Sequence, residues 1–346
     1  MKEKGQFEPL VKAFSRKDLP ESEVEFIGEV PVETLAPYRE RALAELSKEV
    51  EMPGFRKGKV PPDLVLKKIG EVAVLEEATN LFVREFYPAL VEMNKLDVVG
   101  RPDIRITKLA PGNPVGLTIK TALYPEVVLP RNWKTIGENV ALEIAIPATD
   151  EEVGGTLESL RQARKKKKED GTEEVPELND EFAKSVGAFE DLGALKEQIQ
   201  KGITEEKAKQ AKDKRRGSII DKLAEKTEVK VPNIFVESEL EKIISQLKED
   251  VTRFGLTYEG YLKQTNKTEA EVRQDFRAQA QKRAKLQLAL NKIAEEEKIE
   301  ADREAVEHEM KHALEHFPAA NPELLGIHIS TVLRNEKVLK LLEGDK

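Results

Sequence analysis

The sequence predicts two regions of different class: an α+β N-terminal domain, an antiparallel sheet with helices, over residues 1–125, and an all-α, arm-like helical domain over 150–346. Three observations lead there. Before residue 125, apolar and polar residues alternate in short runs, the period of half-buried strands. After residue 150, apolar residues recur as narrow stripes at helical spacing on strongly charged segments. Between the two, residues 126–149 read as an extended linker containing Pro130, Pro147 and the only tryptophan, Trp133.

Composition narrows the function classes. The 346 residues carry 57 basic and 65 acidic side chains, a net charge of −8. With 35% charged and 5% aromatic residues, long solvated helices are favoured over a large aromatic-lined cavity. The acidic balance argues against wrapping nucleic acid, so any RNA contact must be local. There is no cysteine, which removes disulfide and thiolate chemistry and fits a reducing compartment. The opening MKEKGQFEPLV lacks the apolar core of a signal peptide, and no apolar run approaches the ~20 residues of a membrane span. A soluble, cytoplasmic protein with no membrane partner is expected.

Taken in order, residues 10–16 and 23–30 read as short strands, the second with Val24, Phe26 and Val30 alternating. A helix from Leu35 to Val50 carries Leu35, Tyr38, Ala42, Leu46 and Val50 on one stripe, and Pro37 is tolerated because it falls in the first turn. Another short helix begins near Asp63. The tract Val72–Asn94 is helical with Leu75, Ala78, Leu81 and Phe82 inward, and Pro88 is expected to kink or split it. Ile104, Ile106 and then Leu117, Ile119 and Leu123 mark two strands around the turn Pro111-Gly112-Asn113-Pro114.

The stretch between the first two helices is unusual: Gly54-Phe55-Arg56-Lys57-Gly58-Lys59-Val60-Pro61. Its glycines permit backbone angles that other residues avoid, and Pro53, Pro61 and Pro62 stiffen both flanks and deny them helix. A compact loop should push Phe55, Arg56 and Lys57 into solvent. Arg56, Lys57, Lys59, Lys67 and Lys68 face one acid, Asp63, against the acidic trend of the chain. A cationic tip with an exposed ring suits a surface that is part RNA phosphate and part protein. It is not a nucleotide loop, because only three residues separate its glycines and Val60 stands where Ser or Thr is required.

Beyond the linker, a helix from Asp150 to Lys168 ends in Arg164-Lys165-Lys166-Lys167-Lys168, read as a solvated helix end whose cations complement the dipole. Leu192, Leu195, Ile199 and Ile203 open a long helix that runs through a charged middle to Leu223. The next starts at Pro232, with Val236, Leu240, Ile243, Ile244, Leu247, Val251 and Phe254 as its stripe and Gly255 as its cap. Thr268 and Glu271 form a capping box for a helix carrying Val272, Phe276, Leu286, Leu290 and Ile293. Asp302 caps the following helix and Asn321-Pro322 begins the last. Each stripe covers one neighbour, which predicts extended hairpins.

The loop resembles the ribosome-docking signature of the trigger factor family, bacterial chaperones at the exit of the polypeptide tunnel. The segments PELNDEFAKSVG, FGLTYEGYLKQTNKTEAEVRQDF and RNEKVLKLLEG resemble that family's helical chaperone domain. The resemblance implies that residues 1–125 are a ribosome-binding domain in which Gly54, Phe55, Arg56, Lys57, Gly58 and Lys59 dock on rRNA and a tunnel-exit ribosomal protein. It implies nascent and unfolded polypeptides as partners, no cofactor, and a weak homodimer off the ribosome. In one respect the sequence departs from the family. The usual peptidyl-prolyl isomerase domain would fall near 169–174, a gap too short for any domain. The resemblance is therefore to a variant lacking that isomerase domain.

One catalytic motif needs weighing. His308-Glu309-Met310-Lys311-His312 matches the zinc metalloprotease helix, and His316 repeats the spacing. At ~100° per residue, Val306, Met310, Ala313, Leu314 and Phe317 share one side and the histidines face away from it, toward water. A protease needs its histidines inside a walled cleft with a third ligand, so the match is read as incidental and no metal or catalytic residue is assigned. No other constellation suggests an enzyme. The reading is an ATP-independent chaperone that docks at the tunnel exit and shields nascent or unfolded chains from aggregation. The alternative is a free-standing holdase without ribosome contact.

Overall fold

The computed structural model describes residues 4–53, 55–56, 60–142, 146–167 and 173–344. Helix α1 (Glu8–Ala13) leads into β1 (Ser15–Leu19), β2 (Glu23–Val30), α2 (Val32–Glu49), α3 (Pro62–Ile69) and α4 (Glu71–Met93). Strands β3 (Val98–Lys108), β4 (Val115–Leu123) and β5 (Val127–Val128) follow. Next come α5 (Asp150–Ala163), the short strands β6 (Lys166–Lys167) and β7 (Glu173–Glu174), α6 (Asp180–Val186) and α7 (Leu192–Lys226). The chain continues with β8 (Glu228–Val229), α8 (Asn233–Arg253), α9 (Tyr258–Thr265), α10 (Glu269–Glu296), α11 (Arg303–His316) and α12 (Pro322–Glu343). An α+β region precedes a helical one, as the sequence predicts. The residues gather in two compact units: Met1–Val128 with Glu228–Gln287, and Leu129–Thr227 with Leu288–Lys346.

In the first unit, an antiparallel sheet of order β1-β2-β4-β3 carries α2 and α4 on one face. The alternation of β2 puts Val24, Phe26 and Val30 inward, and β4 adds Val115, Leu117 and Ile119. Phe26 pairs with Ile119 across the ladder, so two large apolar side chains meet on the core face. Phe82 and Phe86 of α4 stack with centroids 5.0 Å apart, and Phe7 meets both edge-on. Gly28 is required by a close approach: a Cβ there would lie 2.6 Å from the Phe14 ring.

Local expectations fail here at two places. The strand expected over 10–16 is helix α1 followed by β1. Pro9 sits at the start of α1, where its fixed φ suits a helix, and Val11 and Phe14 are buried. Nor does Pro88 split the tract around it, since α4 is one helix from Glu71 to Met93. An interior proline costs about 3 kcal/mol, whereas burying Phe86 and Leu90 on either side contributes roughly 1.5–3 kcal/mol each. Packing wins.

The same unit holds α8, α9 and the first part of α10. Arg277 and Arg273 of α10 both bond the Glu237 carboxylate of α8, at 2.7 and 2.9 Å, and hold it below the usual carboxylate range, Arg277 most strongly. The α8 stripe is buried at Val236, Leu240, Ile243, Ile244 and Val251. Its last expected member, Phe254, is 84% exposed. Gly255, at φ 78°, donates to Thr252 O while Leu256 donates to Val251 O, a reversal that turns Phe254 out at the tip.

In the second unit, Val153 and Leu157 of α5, Phe182 and Ala183 of α6 and Leu195 of α7 form a small core. The 35-residue α7 is buried near its ends, at Leu195 and again at Ile219, Leu223 and Ala224. The long solvated middle follows from its charge. Trp133 and Ile136 are buried. The predicted end of α5 is wrong, because the helix stops at Ala163 and the basic run lies beyond it. Arg164 caps the helix and gives its guanidinium to Ser185 O, and Lys166–Lys167 pair with Glu173–Glu174 in a short ladder. Successive like charges repel along a helix, which favours leaving it here. Lys168 and the gap expected near 169–174 fall largely outside the described residues.

Candidate functional site

The expected docking loop connects α2 to α3, and both helices are fixed to the core below it. Arg39 of α2 bonds Glu71 at the start of α4, at 2.7 and 3.0 Å. Further along, Tyr38 and Arg41 share Glu85 of α4, each at 2.7 Å, and lower its pKa, Arg41 more than Tyr38. Helix α3 ends at Gly70, whose φ of 92° makes the corner into α4 that a side chain would strain. The loop is thus presented by braced elements.

At its incoming end the chain makes a tight turn. Phe55 N donates to Met52 O at 3.0 Å and the two residues form an isolated antiparallel bridge. Phe55 is 40% exposed and Arg56 is exposed beside it. At the outgoing end Val60 is 4% exposed, and Val65 in the first turns of α3 is fully buried. Pro61 is the N-cap of α3 and Pro62 its first residue, so Pro62 starts a helix instead of denying one, as an N1 proline can. Lys68 donates to Glu51 O and ties α3 back to the loop's entrance. Among the described residues of the loop and α3, Arg56, Lys67 and Lys68 are exposed cations. Of the six residues expected to dock, Phe55 and Arg56 can be described, while Gly54, Lys57, Gly58 and Lys59 lie outside the described residues.

Such a tip can do two things chemically. A guanidinium pairs with phosphate or carboxylate through paired hydrogen bonds, and a partly exposed ring gains free energy when an apolar notch covers it. Sequence reasoning missed the two residues that hold this geometry, Val60 and Lys68.

Sequence reasoning also left the client surface unassigned. In the second unit, α11 and α12 pack as a hairpin, with Met310 turned toward Gly326: a Cβ on that glycine would lie 3.0 Å from the Met310 sulfur. Phe317, expected in the inner cluster, is 69% exposed, because the chain leaves the helix at this C-cap. Leu324 is 66% and Ile327 59% exposed, three residues apart on one face of α12. In the first unit, Phe254 and Leu256 are exposed at the α8–α9 turn. His308, His312 and His316 are exposed, as their spacing predicts. Among the described residues, no three His, Asp or Glu side chains converge as a metal centre requires. Among them, too, no helix is long and apolar enough to cross a membrane.

Comparison with known proteins gives a consistent result. Residues 13–160 match the family described as bacterial trigger factor protein, and residues 191–342 match the C-terminus of the same family. The chain is similar to a trigger factor of Caldicellulosiruptor saccharolyticus, 27% identical over 372 residues that cover 82% of this chain and 83% of the relative. A trigger factor of Agathobacter rectalis is 26% identical over 355 residues, covering 79% and 80%. A solved structure from work on promiscuous substrate recognition in the folding and assembly activities of the trigger factor chaperone superposes with a TM-score of 0.54 and 19% identity. It covers 96% of this chain and 99% of that one, which shows a shared fold.

Proposed function

We propose a function from one premise: the chain belongs to the bacterial trigger factor family. It is a molecular chaperone of the cytoplasm, independent of ATP, that docks beside the ribosomal tunnel exit and shields nascent or unfolded polypeptides from aggregation. Residues 1–125 act as the ribosome-binding domain, 126–149 as a linker, and 150–346 as the chaperone domain. Gly54, Phe55, Arg56, Lys57, Gly58 and Lys59 form the contact, with cations toward rRNA phosphate and acidic side chains and the ring toward an apolar notch on a ribosomal protein. The observation that carries the docking reading is the exposed Phe55–Arg56 pair on a turn closed by Met52 and braced by the buried Val60.

Clients are held at exposed apolar positions such as Phe317, Leu324 and Ile327, many weak contacts that demand no particular sequence. Release needs no nucleotide, because folding removes the client's own apolar surface. The protein is not an enzyme in this reading. The family matches stop at residue 160 and resume at 191, leaving a stretch too short for an isomerase domain. The alignment with the Caldicellulosiruptor relative runs over 372 positions, more than the 346 residues of this chain, yet covers only 82% of the chain, so part of it lies opposite gaps here, which supports a segment present there and missing here.

Ribosome co-sedimentation tests the docking claim. The wild-type chain should pellet with ribosomes and a Phe55→Ala, Arg56→Ala, Lys57→Ala variant should stay in the supernatant, with suppression of client aggregation retained. Equal pelleting of both would move the ribosome contact away from this loop, and no pelleting of either would leave a free-standing holdase.

A further inference from the structure

The function proposed above leaves the histidines of α11 without a role. His308, His312 and His316 recur every four residues on the exposed side of the helix. The rings of His312 and His316 stand 4.8 Å apart centre to centre and meet edge to face at 69°. Two imidazoles sharing one metal at about 2.0–2.1 Å per nitrogen bring their centres to roughly 4.5–5.2 Å, for angles at the metal between square and tetrahedral. The separation of the two rings falls within that range. Packing does not demand this, because the side of α11 that meets α12 is the Met310 side. The helix also carries Glu304, Glu307, Glu309 and Glu315 against Arg303 and Lys311, so a cation meets a negative surface.

We propose that His312 and His316 form a two-histidine chelate for a divalent transition metal, with water in the remaining positions. Structural and catalytic zinc centres use three or four protein ligands, and no such group converges among the described residues. The site is therefore open and exchangeable. Imidazole favours the later first-row metals over magnesium and calcium, and affinity should run copper above nickel above zinc or magnesium. His308 is assigned no part, its Nδ1 lying 3.5 Å from the Glu309 carboxylate.

Calorimetric titration of the untagged full-length chain with Cu²⁺, Ni²⁺, Zn²⁺ and Mg²⁺ tests this. One-to-one binding of the first three is expected, copper tightest, with no heat for Mg²⁺. Removing a ligand should cost at least the ~10-fold that removing a ligand's supporting partner typically does, so His312→Ala and His316→Ala each weaken Ni²⁺ by about tenfold or more, and His308→Ala by less than about threefold. Unchanged far-UV circular dichroism of the variants assigns the loss to the ligands. The proposal is overturned if the wild type takes up no Ni²⁺, if His312→Ala binds as the wild type does, or if His308→Ala costs as much as His316→Ala.

Discussion

Phe55 and Val60 close the two ends of one loop and differ sharply in burial: Phe55 is 40% exposed and Val60 4%. Substituting them should therefore separate docking from stability. Phe55→Ala loses little on folding, because much of its surface is already wet, and thermal unfolding should stay within about 0.5 kcal/mol of wild type. Ribosome pelleting should fall sharply. Val60→Ala removes buried methyl groups and should cost about 1–2 kcal/mol by denaturant unfolding, with docking weakened only as far as the turn loosens. If Phe55→Ala unfolds as early as Val60→Ala, the ring is structural and the docking role fails.

A second prediction concerns the exposed apolar face of α12 and the hairpin turn before it. Phe317, Leu324 and Ile327 are 59–69% exposed, so replacing all three by Ser removes apolar area without opening a cavity. Suppression of aggregation of an unfolded client should drop severalfold while the unfolding midpoint stays put. A triple variant that protects clients as well as the wild type would move the client surface elsewhere.

The Glu237 carboxylate gives a pH-dependent expectation. Its pKa in the fold lies below the ordinary value because Arg277 and Arg273 bond it. A depressed carboxylate contributes stability that is fully present above its unfolded value of about 4.3 and is lost as the pH falls through the folded one. The side chain is 38% exposed, so the contribution at neutral pH should stay below about 1 kcal/mol. Glu237→Gln should be less stable than wild type at pH 7, and the gap should close as acid is added below about pH 4. A gap that stays constant to pH 2 would mean the arginines do not sense this charge.

How far the sequence carried this reading depends on the kind of signal. Periodic signals held: β2 and β4 alternate as expected, and the caps at Thr268, Asp302 and Asn321 make their backbone bonds. Signals at element ends failed, because tertiary context decides there. Phe254 and Phe317 continue their stripes in sequence, yet each is a C-cap where the chain turns and the ring is carried outward. The same failure hid the proposed client surface, since an exposed end position and a buried stripe position look alike in one dimension. In the loop proposed to dock, the exposed pair Phe55–Arg56 was legible from glycine and proline spacing. Val60 and Lys68 were not, because their roles depend on where α3 lies against α2.

The last prediction rests on Arg216 of α7, whose guanidinium bonds Glu336 at 3.0 and 3.1 Å and also both carboxylate oxygens of Glu343, all within the second unit. The two acids, Glu343 first, hold its pKa above the ordinary range for arginine. Beside it Arg215 donates to the carbonyls of Gly137, Val140 and Glu343, so consecutive arginines fasten the end of α12. Glu343 is only 11% exposed, and removing its partner leaves a mostly buried charge unpaired. Arg216→Ala should therefore cost about 1–3 kcal/mol, the lower part of the range for a broken buried pair because Arg216 itself is 32% exposed. Arg216→Lys restores the charge but not the planar fork that reaches two carboxylates at once, and should recover less than half of the loss. A cycle with Glu343→Gln should give a coupling of about 0.5–3 kcal/mol by urea unfolding. If Arg216→Lys is as stable as the wild type, the clasp works by charge alone and the geometry of the fork is irrelevant.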